Sequence, residues 1–162
     1  MAARLAVSPW SHPDPALADD HLDLAEQLLT GLDLRATTLT TCIAALIRDA
    51  GTPGNGLQDR ADVLDAEIRT AGLRTAQATL ALALCFHHAV LDSEADLAAA
   101  ILRPDQLTRG RDYAYYVDIA HFMAGRPLDH ASPARWLDGE HDVRGRWRTL
   151  VSSRRESAPS AR

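Results

Sequence analysis

Residues 22–50 read LDLAEQLLTGLDLRATTLTTCIAALIRDA, and residues 57–89 read LQDRADVLDAEIRTAGLRTAQATLALALCFHHA. Each stretch carries an apolar thread whose spacing alternates three and four without a slip. The first is Leu22, Ala25, Leu29, Leu32, Ala36, Leu39, Ile43, Leu46 and Ala50. The second is Leu57, Ala61, Leu64, Ile68, Ala71, Thr75, Ala78, Leu82, Cys85 and Ala89, with Thr75 the one polar member. Such spacing puts every member on one face of a helix. Sustained over four heptads, it argues for long helices packed side by side.

The ends of the threads fit this reading. Asp14-Pro15 offers a cap followed by proline at the first helical position. Gly51 and Pro53 stop the first helix, and residues 51–56 make the turn. Gly31 and Gly72 lie inside the threads but off both seams, and continuity is expected through each. The two helices then span about 54 and 51 Å at roughly 1.5 Å per residue. A short loop between similar lengths makes an antiparallel helical hairpin.

The second half is choppier. Ser93 and Asp96 resemble a capping box opening a helix to about Arg103, where Pro104 interrupts. Asp112 caps a helix to Ala124, closed by Gly125 and Pro127. Ser132-Pro133 begins a short turn through Trp136 and Leu137. A last helix covers residues 143–155. No stretch alternates cleanly enough for a strand. The expected fold is all-α, a long hairpin with three or four shorter helices packed as a bundle. Residues 1–14 form a tail, 15–156 one helical domain and 157–162 a disordered tail. Helices this short cannot cover two seams of some 50 Å. Self-association through the hairpin seam, as a homodimer, is the consequence.

Composition narrows the chemistry. All 17 Lys-or-Arg positions are Arg, so Schiff-base and phosphate-loop lysines are excluded. Abundant Ala, Arg and Gly beside one Asn, Asn55, fits a GC-rich bacterial genome. No apolar run approaches the ~18–20 residues of a membrane helix, and no signal peptide is legible, so a cytoplasmic location is expected. Cys42 and Cys85 suit reduced core positions. The net charge of −5 divides unevenly: residues 1–143 sum to −10 and residues 144–162 to +5. The acidic body repels nucleic acid, which is not expected as a partner.

Chemistry concentrates in Cys85-Phe86-His87-His88-Ala89-Val90-Leu91-Asp92-Ser93. This spelling resembles the His-His-x-x-x-Asp-Gly signature of condensation-domain and chloramphenicol-acetyltransferase-type acyltransferases, with Ser93 in place of the final Gly. The resemblance implies His88 as the base that deprotonates an acceptor, and Asp92 in a mainly structural role. It also implies a two-lobed fold with the motif at a strand-to-loop junction. Asp112-Tyr113-Ala114 and Arg135-Trp136 are loosely similar to segments downstream of that motif. The second thread instead makes the segment helical, with His88 and Asp92 an (i, i+4) pair near a helix end, where His suits the dipole. The helical reading is preferred, and His88 with Asp92 remain the candidate catalytic pair.

Asp118 and His121 share a helix face in a ligand-like step, but a di-iron bundle needs further acids on inward positions. No set of three or four convergent ligands is legible, so neither metal nor cofactor is expected. The best partner-binding feature is the basic tail: Arg144, Arg146, Trp147, Arg148, Arg154 and Arg155. It suits an acidic protein partner, weak phosphate contacts, or docking on the chain's own acidic body through Trp147, Leu150 and Val151. The function expected is that of a non-catalytic interaction or regulatory accessory protein. The alternatives are a small helical enzyme or ligand-binding bundle using His88, and weak nucleic-acid binding through the Arg-rich helix.

Overall fold

A computed structural model describes residues 15–32, 34–52, 54–108, 114–128, 131–132 and 143–157. Among them are seven helices and no strand: α1 (Pro15–Leu29), α2 (Arg35–Asp49), α3 (Leu57–Thr70), α4 (Arg74–Leu91), α5 (Glu94–Thr108), α6 (Ala114–Met123) and α7 (Val143–Ser157). The fold is all-α. None of the helices is long and apolar enough to cross a membrane. The expected cap at Asp14, the cap at Asp112 and the turn at Pro133–Leu137 lie outside the described residues, as does the tail 1–14; of the expected tail 157–162, Ser157 instead closes α7 and the rest lies outside the described residues.

Neither long helix is continuous. Gly31 (φ +80°) and Gly72 (φ +69°) both take the left-handed conformation and end their helices. At Gly72 the Leu73 N–H donates to the Ile68 carbonyl (3.1 Å) and the Gly72 N–H to Arg69 (3.0 Å). This paired closure satisfies the terminal carbonyls that a free helix end leaves open. Two hairpins, α1–α2 and α3–α4, replace the single long one. Proline errs the other way, for α5 runs through Pro104 to Thr108. Proline removes one backbone bond there, and Leu97, Ala100 and Ile101 of the preceding turns pack on the core.

α4 is the axis of the molecule, and α2, α3, α5, α6 and α7 all pack against it. Buried residues run around its whole circumference, including Leu80, Ala81, Ala83, Cys85, Phe86 and Val90. A helix apolar on every side belongs in the centre of a bundle. The shorter helices therefore cover the second thread: apart from half-buried Ala71 and exposed Thr75, all its members are buried. This corrects the expectation of an open hairpin seam. The exposed thread members of the first stretch are Leu32 and Ala36, at the α1–α2 turn.

Gly51 fixes how α2 meets α4. Its φ is +84°, and a Cβ there would run into Val90 Cγ1 and stand 2.9 Å from Val90 Cβ. Only glycine combines that conformation with that approach.

Candidate functional site

His87 and His88 are consecutive on a helix, so their side chains diverge by about 100°. His87 turns inward and is 7% exposed. Its Nδ1 accepts a hydrogen bond from the Gly51 N–H at 3.0 Å, tying the end of α2 to the last turns of α4. Burial, and secondarily the adjacent His88, push the His87 pKa down to about 4. His88 is part-exposed, and its Nδ1 is buried with no hydrogen-bond partner among the described residues. Burial lowers its pKa too, partly opposed by Asp96. The rings meet edge-on at 5.3 Å. Both imidazoles are therefore neutral near pH 7.

Beyond them α4 stops at Asp92, a non-glycine residue at φ +59°. The Ser93 N–H closes the helix on the His88 carbonyl at 3.1 Å. Ser93 also opens α5, its hydroxyl donating to Asp96 at 2.5 Å. Ser93 and Asp96 stand at the start of α5 as read from the sequence, but the bond between them joins two side chains, and the Ser93 N–H goes to His88 instead of closing a capping box. The left-handed Asp92 is held from α7: Arg155 Nη2 donates to its carboxylate and to the Ala89 carbonyl, both at 2.8 Å, and Arg155 Nε to Val90 at 2.7 Å. Arg154 does the same for α2, donating to the Arg48 carbonyl at 2.7 Å. Cations at the carbonyl end of a helix oppose its dipole and satisfy open acceptors.

Trp147 is the apolar anchor of α7. It is 5% exposed and lies between Phe86 and Phe122, with centroids 5.4 and 5.9 Å away. Arg144 sits over Phe122 at 4.6 Å and donates to the Arg126 carbonyl. The docking face read as Trp147, Leu150 and Val151 is the face that packs on the core. Of the six tail residues singled out, Arg146 and Arg148 are exposed and Trp147, Arg154 and Arg155 are engaged by the fold.

These elements leave an open cleft of about 640 Å³ at the end of α4, lined by His88, Asp92, Leu97, Met123, Trp147 and Arg148 among others. The candidate catalytic pair and the basic tail thus meet in one place. The resemblance to acyltransferases is not matched by context, because the motif is helical and not at a strand-to-loop junction; the Asp92 carboxylate pairs with Arg155. A neutral, partly exposed imidazole there can exchange hydrogen bonds with a ligand, and no carboxylate among the described residues orients it as a relay. Asp118 accepts from Ser132 at 2.6 Å, and no metal-binding group of three or more His, Cys, Asp or Glu occurs among the described residues.

A second concavity, of about 550 Å³, lies between α1, α2 and α3. Leu29, Leu39, Ala45, Leu46, Val63 and Leu64 make it largely apolar, and Cys42 also lines it. Leu24, Leu28, Leu32 and Leu34, on α1 and the turn after it, are 45, 64, 54 and 49% exposed, and Val63, which lines the groove, is 64% exposed. Leu24, Leu28, Leu34 and Val63 carry no thread signature, because they are off both threads. Their shared signal was an apolar residue at a position the threads assign to solvent. The His88–Arg148 cleft had no local signal, since its walls come from segments some 60 residues apart. No protein-family model, curated protein or solved structure matches this chain.

Proposed function

We propose that this chain is a non-catalytic interaction or regulatory accessory protein that works as a homodimer, paired through the α1–α3 face. One observation carries the reading: large apolar side chains stand open to solvent on α1, on the turn after it and on α3, where an apolar groove also opens. Leu24 and Leu28 are four apart on α1, Leu32 and Leu34 flank its turn, and Val63 belongs both to the exposed set and to the groove wall. Exposed large apolar side chains that can be covered together by a partner mark a contact surface. Two-fold pairing would bury the same side chains twice, each contributing about 1.5–3 kcal/mol when fully covered. The basic helix supports the same choice from the other side. With Arg154 and Arg155 bonded to helix ends, few cations remain to hold phosphates, and phosphate contacts dominate nucleic-acid affinity.

Light scattering across a concentration series tests the proposal. The expected mass is twice 17.6 kDa, unchanged by salt because the contact is apolar. Leu28→Glu combined with Val63→Glu, both at exposed positions, is expected to give a folded monomer by circular dichroism and mass. A wild-type monomer at every concentration overturns the proposal. The alternative reading, a ligand-binding bundle, is favoured by the cleft at His88.

A further inference from the structure

We propose that the two copies pair by exchanging α1: this helix leaves its own α2 at the Gly31 turn and takes the same place on α2 of the other copy. The inference rests on the homodimer proposed above and names how its two chains are joined.

Three observations converge on the turn between α1 and α2. First, α1 has one main support. Among the described residues it packs mainly on α2, through Leu22 against Ala44 and Ala45 and through Asp23 paired with Arg48 at 3.3 Å. An element held at one contact can come away while the core around α4 stays intact. Second, this turn is closed less firmly than its counterpart between α3 and α4. At Gly72 the Leu73 N–H reaches back to the Ile68 carbonyl, and Leu73 packs on the core. At Gly31 the Leu32 N–H donates to Leu29, three residues back, at 3.0 Å. α2 then starts from Leu34 with no side-chain cap, and leucine is a poor residue for that position. Third, the turn is apolar. Leu28, Leu32 and Leu34 are all exposed, where a surface turn ordinarily carries Gly, Pro, Asn, Asp or Ser.

Exchange accounts for all three. It costs little, because every contact of α1 on α2 is made again between chains, and the two forms differ chiefly at the turn. Opening the turn releases Gly31 from φ +80°. It also carries the two turn segments past each other near the two-fold axis, where Leu28, Leu32 and Leu34 of one chain meet those of the other. Their burial is the gain that the single chain lacks, and two-fold symmetry counts it twice.

Cross-linking distinguishes exchange from simple face-to-face pairing. In a Cys42→Ser background, Asp23→Cys and Arg48→Cys put two thiols where the native ion pair stands, and a short bismaleimide joins them. Cys85 is buried and does not compete. The expected product is two chains linked covalently, at the concentrations where light scattering gives the dimer mass. A dimer by mass whose cross-linked product is a single chain overturns the exchange and leaves the homodimer standing. A monomer at every concentration overturns both. Gly31→Ala supplies a second test that needs no cysteine. A Cβ at Gly31 meets nothing within 4 Å, so its cost is confined to the left-handed conformation. Opening the turn removes that cost, so Gly31→Ala should tighten the dimer by about tenfold or more in sedimentation equilibrium. Gly72→Ala, at a turn that stays closed, should leave the dissociation constant unchanged. Equal constants for Gly31→Ala and wild type overturn the exchange.

Discussion

His87 shows how a single side chain can carry a tertiary contact that its neighbours in sequence do not announce. Its Nδ1 must be unprotonated to accept from Gly51, so acid attacks this bond directly. The folded value of about 4 lies below the ordinary 6.5. The unfolded chain then takes up the proton first as pH falls. The stability His87 contributes is complete above about pH 6.5 and is lost as pH drops toward 4, on the order of 3 kcal/mol across that window. The lowered His88 value acts in the same direction. His87→Asn keeps an acceptor near the Nδ1 position and removes the titration. Urea midpoints at about pH 7 and about pH 5 should fall less for His87→Asn than for wild type. Equal falls would mean that His87 does not titrate with unfolding. The sequence drew attention to the doublet but placed the chemistry on His88. Which histidine faces inward depends on Gly51, 36 residues away, and a backbone N–H has no signature in a sequence.

At the scale of elements, heptad spacing was a sound guide to faces and a poor one to continuity. Both threads keep their register across Gly31 and Gly72, because each new helix resumes with its apolar residues on the same side. Periodicity therefore could not distinguish one helix of fifty ångströms from two in a bent pair. The local clue was glycine followed by leucine, Gly31-Leu32 and Gly72-Leu73, the pattern of a left-handed helix end with an apolar residue after it. Substitution separates the two arrangements by sign. In a continuous helix Gly72→Ala would stabilise by roughly 1 kcal/mol. At φ +69°, with no atom crowding the new methyl group, it should instead destabilise by about 1–2 kcal/mol, from conformation alone. Gly51→Ala should exceed this, reaching about 2–5 kcal/mol, because its methyl group also strikes Val90 in the core. Urea denaturation of the two variants beside wild type measures both. A stabilised Gly72→Ala would restore the long helix. α5 carries the converse lesson, since Pro104 was read as a stop and the helix runs through it to Thr108.

The whole molecule is a core built around α4 with one loosely attached arm. α4 is gripped by five helices, whereas α1 packs mainly on α2. Among the described residues the contact that holds α1 is small: Leu22 and Ala44 are fully buried with Ala45 beside them, and Arg48 reaches Asp23 at 3.3 Å. That ion pair is exposed and contributes little. Local opening follows the density of buried apolar contacts, so α1 should open well below the free energy of global unfolding and α4 only with it. Amide hydrogen exchange read by mass spectrometry should find α1 peptides exchanging far faster than those of α4. Concentration then links this hierarchy to the proposed dimer. Leu24 and Leu28, 45 and 64% exposed in the single chain, lie on the arm itself, so pairing through them must slow α1. Raising protein concentration should protect α1 while leaving α4 unchanged. Exchange in α1 that is fast at every concentration would mean that the arm is loose but not part of the contact. Uniform protection of α1 and α4 at high dilution would mean that the small Leu22 cluster suffices to make the chain one cooperative unit.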